Sequence, residues 1–324
     1  MIDLLNSIQA ASYGLTLADL LTQHPGIARR TAQRLIAKLI EAGQITARGE
    51  GRARRYSGAK VVLVAASSAI TDVFPSTIPL SADSLDILAY IDQPVEARKP
   101  VGYQRDFLNA YQPNETWYLS ESLRRQLHKM GKTVDADEPA GTYSSAILNR
   151  LLIDLSWASS QLEGNTYSRL DTRVLIEHGK AAQGKAAIET QMILNHKTAI
   201  ELLVENIGEM AFDRYTLMNL HSALAENLLP NPADEGRIRQ HAVNIGKSVY
   251  RPLSTPQQLE AALKVVLDKA NQTADPFEQS FFMMVHLPYL QAFADINKRT
   301  SRLAANLPLF RANLCPLTFL LRKG

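Results

Sequence analysis

A cluster of residues near the carboxyl end of the chain has the types and spacing of a phosphate-and-metal site. Asp295 is followed by Asn297, Lys298 and Arg299, and Arg302 comes three positions after Arg299. A carboxylate such as Asp295 can hold Mg²⁺ between phosphate oxygens. Backbone N–H groups at the start of a helix attract an anion. Two arginines three apart share one helical face and can grip a polyphosphate. The spacing therefore predicts an anion-binding loop that opens a helix.

The whole segment 291–302 resembles the signature of the Fic (Fido) family, H-x-F-x-[DE]-G-N-[GK]-R-x-x-R. Active members of that family move AMP from ATP onto a protein hydroxyl. The resemblance implies ATP and Mg²⁺ as ligands, with Asp295 on the metal and four residues on the nucleotide: Asn297, Lys298, Arg299 and Arg302. Two positions depart from the pattern, because Gln291 stands where the family has its catalytic His and Ile296 stands at the Gly position.

Gln291 is chemically the most consequential of these departures. An amide has no usable pKa near neutrality, and general-base help is typically worth about 10²–10⁴-fold in rate. We therefore expect AMP transfer to be slow or absent while nucleotide binding persists. His286 lies five residues earlier, a turn or more back along the preceding helix, and is not expected to substitute. The remaining histidines of this region lack metal-ligand spacing and are predicted to be structural: His178, His196, His221 and His241.

A second segment supports the same resemblance. Residues 159–165 are similar to the inhibitory motif [ST]-x-x-x-E-[GN] of regulated Fic proteins, with Ser159 and Glu163 at its defining positions. The family pattern implies that Glu163 pairs with Arg302 and blocks productive seating of the ATP γ-phosphate. Taken alone, the same letters are also common at the end of a helix, where Gly164 would be the stop.

The region between the two motifs predicts a mainly helical core. Residues 171–182 and 191–203 show apolar side chains at helical spacing. Residues 243–252 favour a pair of short strands with a turn at Gly246. By resemblance this hairpin is the family's flap, which holds a target protein by adding it as a strand, and an ordinary hairpin is the alternative. The flap residues are Val243, Ile245, Gly246, Val249 and Tyr250.

Bulk properties set limits on the class of protein. The chain has 324 residues, about two domains, and 46% apolar residues, enough for real cores. The single cysteine, Cys315, excludes an internal disulfide framework and fits a reducing compartment. The start of the chain lacks the basic character of a secretory signal, and the apolar run 61–66 is too short to cross a bilayer. We expect a soluble, cytoplasmic protein without membrane partners.

The amino-terminal part predicts a nucleic-acid-binding module. Residues 1–60 carry nine Lys and Arg against four Asp and Glu, a net charge of +5, whereas the whole chain has only +3. A Thr-capped helix from Thr16, a turn at 24–26 and a basic helix over 28–43 resemble a helix-turn-helix, and 43–56 resemble a wing. The predicted DNA contacts are Arg29, Arg30, Gln33, Arg34, Lys38, Arg52, Arg54 and Arg55. The alternative is a winged helix that contacts only proteins.

Together these patterns predict a mainly α protein with an all-helical Fic-like core, a short β-hairpin flap and an amino-terminal winged helix-turn-helix. The expected domains are 1–60 for the winged helix, 61–140 for a connecting segment and 141–324 for the Fic-like domain. We expect a DNA-binding regulator with an ATP-binding Fic-like domain of weak or no AMP-transfer activity, paired as a homodimer if it reads two half-sites. An autoinhibited protein adenylyltransferase and an interaction module without nucleotide are the alternatives.

Overall fold

The structure is a computed structural model that describes residues 4, 7–8, 15–41, 45–48, 54–58, 80–134 and 136–319. The chain separates into two compact units, residues 1–93 and 94–324. The second unit holds both candidate motifs.

The described part of the first unit includes two helices joined by a turn, a small sheet and a further helix after them. Helix α1 (Leu17–Gln23) follows strand β1 (Leu15–Thr16) and begins at a capping box in which Thr16 and Asp19 satisfy each other's backbone N–H groups. Helix α2 (Arg29–Glu41) buries Ala32, Ile36 and Leu39, whose spacing places them on one face. Strands β2 (Ile45–Arg48) and β3 (Arg55–Gly58) pair antiparallel, and the sheet order is β1-β3-β2. Helix α3 (Ala82–Ile91) is capped by Ser81.

This order of elements is the one the sequence predicts for residues 16–58. The helix, the turn and the basic helix are present, and the strands flank the predicted wing tip. The tip itself, including Arg52, lies outside the described residues. The winged-helix assignment and its role in DNA binding stay predictions.

The second unit is built almost entirely from helices. After strand β4 (Val101–Gly102), its elements follow in this order: α4 (Arg105–Ala110), α5 (Glu121–Gly131), α6 (Thr142–Ala146), α7 (Leu148–Gln161), α8 (Arg169–His178), α9 (Ala187–Glu205), α10 (Arg214–Ala225), β5 (Tyr250–Arg251), α11 (Pro256–Gln272), α12 (Pro276–Leu290), α13 (Asn297–Ala304) and α14 (Leu307–Arg311). The predicted mainly helical class is confirmed. Among the described residues, no helix is long and apolar enough to cross a membrane.

The main core lies where the central helices of this unit meet. Helix α9 packs against α7 and α10, and α12 packs against α11, α13 and α14. Fully buried side chains such as Ile200, Leu220, Leu263 and Phe282 fill the space between them. Burial of such apolar surface, at about 25 cal/mol per Å², is the main stabilisation of a helical domain. The short helix α13 is thereby held from several sides, which fixes the loop that precedes it.

Residues 94–134 and 136–140 belong to this second unit and are more than a connection. Leu108 and Tyr111 are 1% exposed and lie in the main core. The Tyr111 hydroxyl donates to the buried Glu278 carboxylate, which also accepts the backbone N–H groups of Tyr118 and Leu119. The six prolines in 61–140 indicate interruptions of regular secondary structure, but the sequence does not show that the segment packs on α12. Residues 61–79, also assigned to the connection, lie outside the described residues.

The predicted hairpin over 243–252 is wrong. The chain does turn at Gly246 and Lys247, where Lys247 takes a left-handed conformation (φ 59°). However, strand β5 pairs in parallel with β4, with Tyr250 opposite Val101 and Arg251 opposite Gly102. The turn signal favoured a local partner, whereas the real partner comes about 150 positions earlier in the chain.

Candidate functional site

The loop between α12 and α13, residues 291–296, forms one wall of the site, and we call it the anion loop. It leaves α12 through Gln291 (φ 53°) and enters α13 through Ile296 (φ 63°), both left-handed. Phe293 is fully buried, and its ring stacks on His221 at 3.9 Å between centroids. Asn297 closes the loop, since its Oδ1 accepts the Phe293 N–H (2.9 Å) and its Nδ2 donates to the Phe293 carbonyl (3.0 Å). The loop is therefore a rigid, backbone-lined turn.

The first turn of α13 presents donors that the protein itself does not satisfy. Ile296, the residue before the helix, makes no side-chain capping bond, so the initial N–H groups stay available. Arg299 is only 8% exposed, and its Nε and Nη1 have no hydrogen-bond partner. Burial lowers the pKa of this guanidinium, and the nearby Asp295 and Glu163 carboxylates partly offset that effect. Unpaired buried donors are costly, so they indicate a place for an anionic ligand.

These groups open into a cleft of about 690 Å³. One wall is the anion loop with the start of α13, and another is the segment 241–246. Glu163 also lines the cleft, and with it come Leu229, Pro230, Asn231 and Asp234. The volume is in the range of small-molecule sites.

Arg302 is tied to the end of α7 rather than open to the cleft. Its Nη2 lies 2.5 Å from Glu163 Oε1, and the two side chains are 13% and 24% exposed. Its Nε donates to Ser159 Oγ (3.0 Å), and its Nη2 also reaches the Ser159 carbonyl (3.3 Å). The predicted pairing of Glu163 with Arg302 is confirmed, and Ser159 takes part in it.

Asp295 is exposed in the cleft and has the chemistry of a Mg²⁺ ligand. Its Oδ1 accepts the Ile296 N–H at 2.6 Å, which orients the carboxylate. Within the described residues, no group of three or more His, Cys, Asp or Glu gathers to hold a metal. A single carboxylate fits Mg²⁺ only when phosphate oxygens and water supply the other positions.

Comparison with known proteins agrees with this geometry. Residues 211–309 match the model of the Fic/DOC family. This part of the chain is a Fic domain. The protein adenylyltransferase fic-1 of Caenorhabditis elegans is 30% identical over 165 residues, covering 48% of this chain and 31% of that protein. The protein adenylyltransferase Fic of Nematostella vectensis is 27% identical over 164 residues, covering 49% and 38%.

A solved structure of a Fic family protein from Desulfovibrio desulfuricans G20 is 23% identical, with a TM-score of 0.48 over 61% of this chain and 60% of that one. The matches to the two curated relatives span 31% and 38% of those proteins' own length.

Gln291 takes a structural part in the Fic domain. Its Nε2 donates to the Pro288 carbonyl (2.6 Å), and its Oε1 accepts from Asn297 Nδ2 (3.1 Å). Both ends of the amide are therefore engaged with α12 and α13. An amide held in this way orients the loop and cannot remove a proton.

Three histidines of the second unit are buried, and burial disfavours their charged form. Burial lowers the pKa of His196 to about 3 and that of His221 and His286 to about 4. His286 lies 2.7 Å from the Tyr118 hydroxyl and stacks on Phe107, and it does not line the cleft. His241 differs, because it is exposed and lines the cleft.

His196 and His221 hold the site in position. The His196 Nδ1–H donates to the Met192 carbonyl (2.8 Å), so its Nε2 accepts the Ser159 hydroxyl (3.0 Å), and that oxygen in turn accepts from Arg302. The Gly236 N–H donates to His221 Nδ1 (3.0 Å), so the His221 Nε2–H donates to the Asp295 carbonyl (3.2 Å). Isolated histidines carry no spacing signal, so the sequence did not show these contacts.

The predicted flap residues divide into two groups. Val243, Ile245 and Gly246 line the cleft. Val249 and Tyr250 instead anchor the segment: the Val249 carbonyl accepts the Val101 N–H (3.2 Å), and Tyr250 stacks on Tyr289 at 5.1 Å. Sequence analysis also missed Arg239, which is 0% exposed and donates to the carbonyls of Gln291 (2.8 Å), His241 (2.7 Å) and Leu253.

In the first unit, the predicted contact residues that the structure describes lie at the surface. Helix α2 exposes Arg29, Arg30, Gln33, Arg34 and Lys38 on the side away from its buried stripe, and Arg54 and Arg55 are exposed beside the sheet. This arrangement is a basic face on a small helical unit.

Proposed function

We propose that this chain is an autoinhibited Fic-type protein adenylyltransferase, which binds ATP with Mg²⁺ and transfers AMP to a protein hydroxyl. The observation that carries the proposal is Arg299, which lies in the first turn of α13, lines the cleft and has two buried donors without a partner. The curated relatives are named protein adenylyltransferases, which supports the same activity class. A single cysteine is consistent with work in the cytoplasm.

Each cleft group has a role in this proposal. The N–H groups at the start of α13 and the Arg299 guanidinium bind the polyphosphate, which satisfies donors that are otherwise orphaned. Lys298 is exposed at the same helix start and adds a cation. Asp295 is the residue that would hold Mg²⁺, which neutralises phosphate charge when bound. His221 and Asn297 keep the loop in shape so that these donors need no rearrangement.

Glu163 is the restraint on the reaction. Its carboxylate occupies Arg302, which would otherwise extend the positive surface of α13 toward the cleft. The Ser159 hydroxyl, oriented by His196, adds a second bond to the same guanidinium. An incoming γ-phosphate must compete with this set of contacts, so we propose that removing the Glu163 carboxylate releases transfer.

The target protein is proposed to bind along the segment 243–246. Val243 and Ile245 are partly buried in the cleft wall, and Arg239 together with strand β5 fixes the segment at both ends. An extended peptide can add to such a segment through backbone hydrogen bonds. A serine, threonine or tyrosine hydroxyl of that peptide would then face the anion loop.

Labelling with ATP radioactive at the α-phosphate tests the proposal. We expect the Glu163→Gly variant to label itself or an added protein far more than the wild type. Glu209→Gly is the matched control, because Glu209 is also an exposed acid in a helix-ending turn but does not line the cleft. Equal labelling by the wild type, the variant and the control would contradict the restraint. Calorimetry with ATP and Mg²⁺ that shows no binding to any of the three would contradict the nucleotide site.

A second function is supported by the basic face of α2. We propose that the first unit contacts nucleic-acid phosphates through Arg29, Arg30, Arg34 and Lys38, with pairing of two copies if two half-sites are read. Fluorescence anisotropy on duplex DNA at several salt concentrations tests it. Loss of one phosphate contact, as in Arg34→Ala, should lower the log–log salt slope by nearly one, and a slope of zero in the wild type would contradict it.

A further inference from the structure

We infer that His241 supplies the imidazole that Gln291 cannot, as the group that takes the proton of the attacking hydroxyl. The inference rests on the proposed AMP transfer. Its starting point is that the anion loop has Gln291 where a base would stand, whereas the exposed His241 lines the same cleft.

Buried Arg239 places His241 beside Gln291. Its Nε donates to the Gln291 carbonyl (2.8 Å), and its Nη1 donates to the His241 carbonyl (2.7 Å). In addition, the Arg239 backbone N–H donates to the Ala292 carbonyl (3.1 Å). One planar guanidinium, with its donors in a fixed fork, therefore bridges the two backbones, and residues 239–241 run alongside 291–292. The backbone of His241 therefore lies next to that of Gln291, which stands where the Fic signature has its histidine.

No other histidine of the described second unit has this combination of properties. His196, His221 and His286 are at most 2% exposed and are held by hydrogen bonds inside the protein. His128 contacts Asp275, and His178 ends helix α8, and neither lines the cleft. The segment 243–246 begins two residues after His241, so the hydroxyl of a peptide bound along that segment can reach the exposed imidazole.

The chemistry balances without any further reactant. The target hydroxyl oxygen forms a bond to the α-phosphorus of ATP, and the bond from that phosphorus to the oxygen bridging the β-phosphorus breaks. Pyrophosphate leaves with the electron pair of the broken bond. The hydroxyl proton passes to the neutral nitrogen of the His241 imidazole, which afterwards releases it to solvent.

The test uses the full chain with Glu163→Gly as the released parent and α-labelled ATP as the probe. We expect Glu163→Gly/His241→Ala to label about 10²–10⁴-fold more slowly than the parent, with unchanged ATP affinity by calorimetry. Glu163→Gly/His178→Ala is the control and should match the parent, since His178 is an exposed histidine away from the cleft. Adding Gln291→His to the slow variant should restore labelling, and free imidazole should rescue it in part.

The outcomes separate this inference from the proposed function. If the parent and its His241→Ala derivative label equally, His241 is not the base. If the parent binds ATP but labels only after Gln291→His is added, both the inference and the proposed AMP transfer by the natural chain are overturned, and only the proposed nucleotide site stands. If even Glu163→Gly/Gln291→His binds no ATP and labels nothing, the proposed function fails and the inference falls with it.

Discussion

Replacing Arg299 with methionine should change stability and nucleotide affinity in opposite directions. The guanidinium is 8% exposed and leaves Nε and Nη1 without partners. A buried unsatisfied donor costs about 1–3 kcal/mol, so two such donors cost about 2–6 kcal/mol. Methionine has an apolar side chain close to that of arginine in length, and a swap that roughly conserves volume in a packed site usually lowers the free energy of unfolding by less than about 1.5 kcal/mol. We expect Arg299→Met to raise the free energy of unfolding by about 1–4 kcal/mol.

The same substitution removes the charged donors that we assign to phosphate. A hydrogen bond to a charged group contributes about 1.5–3 kcal/mol, which corresponds to about 10- to 150-fold in affinity. Urea unfolding gives the stability change, and calorimetry with ATP and Mg²⁺ in the Glu163→Gly background gives the affinity change. The reasoning is refuted if Arg299→Met is clearly less stable than the parent and binds ATP equally well, because Arg299 would then be a structural cation.

Three further predictions concern the restraint, the anion loop and the buried imidazoles. Glu163→Gln keeps the shape of the side chain but removes its charge, so α-label transfer should fall between that of the wild type and Glu163→Gly; labelling no higher than wild type would argue against a charge effect. Ile296 has a left-handed backbone (φ 63°) and is 2% exposed. Ile296→Gly should lower the free energy of unfolding by about 1–3 kcal/mol because burial is lost, but it should be about 1 kcal/mol more stable than Ile296→Ala, which keeps the backbone strain. The reverse order of the two variants in urea midpoints would contradict this. Burial lowers the pKa of His196 to about 3, below the ordinary value of about 6.5, so the stability that the neutral imidazole contributes is complete above pH 6.5 and is lost as pH falls toward 3. The urea midpoint of His196→Gln should therefore drop less between pH 6.5 and 4 than that of the wild type. Parallel curves would exclude His196 as a source of the acid-induced loss of stability.

The parts of the site that could be predicted from sequence are those encoded in short segments. Glu163 and Arg302 each belong to a compact motif, so their pairing followed from the resemblance and appears at 2.5 Å. The capped helix after Thr16 and the amphipathic α2 follow from local capping and 3.6-residue periodicity, which act over one or two turns. The mainly helical class follows from the same local signals.

The parts that could not be predicted depend on contacts between distant segments. Tyr250 pairs with Val101 because tertiary packing brings them together, and the turn signal at Gly246 pointed to a nearer partner. Leu108 and Tyr111 join the core from a segment whose prolines suggested a linker. The position of His241 depends on the two hydrogen bonds that the Arg239 guanidinium donates to the carbonyls of Gln291 and His241. Nothing in the local sequence distinguishes this buried arginine from one at the surface.

Calorimetric titration of the Glu163→Gly chain with ATP and Mg²⁺ tests the central claim most directly, which is that the anion loop and Arg299 form a polyphosphate site. The account predicts saturable binding that weakens by about 10- to 150-fold when Arg299→Met is added, and markedly weaker binding of AMP, which lacks the β- and γ-phosphates. Absence of binding by Glu163→Gly, or ATP and AMP binding with equal affinity, would contradict it.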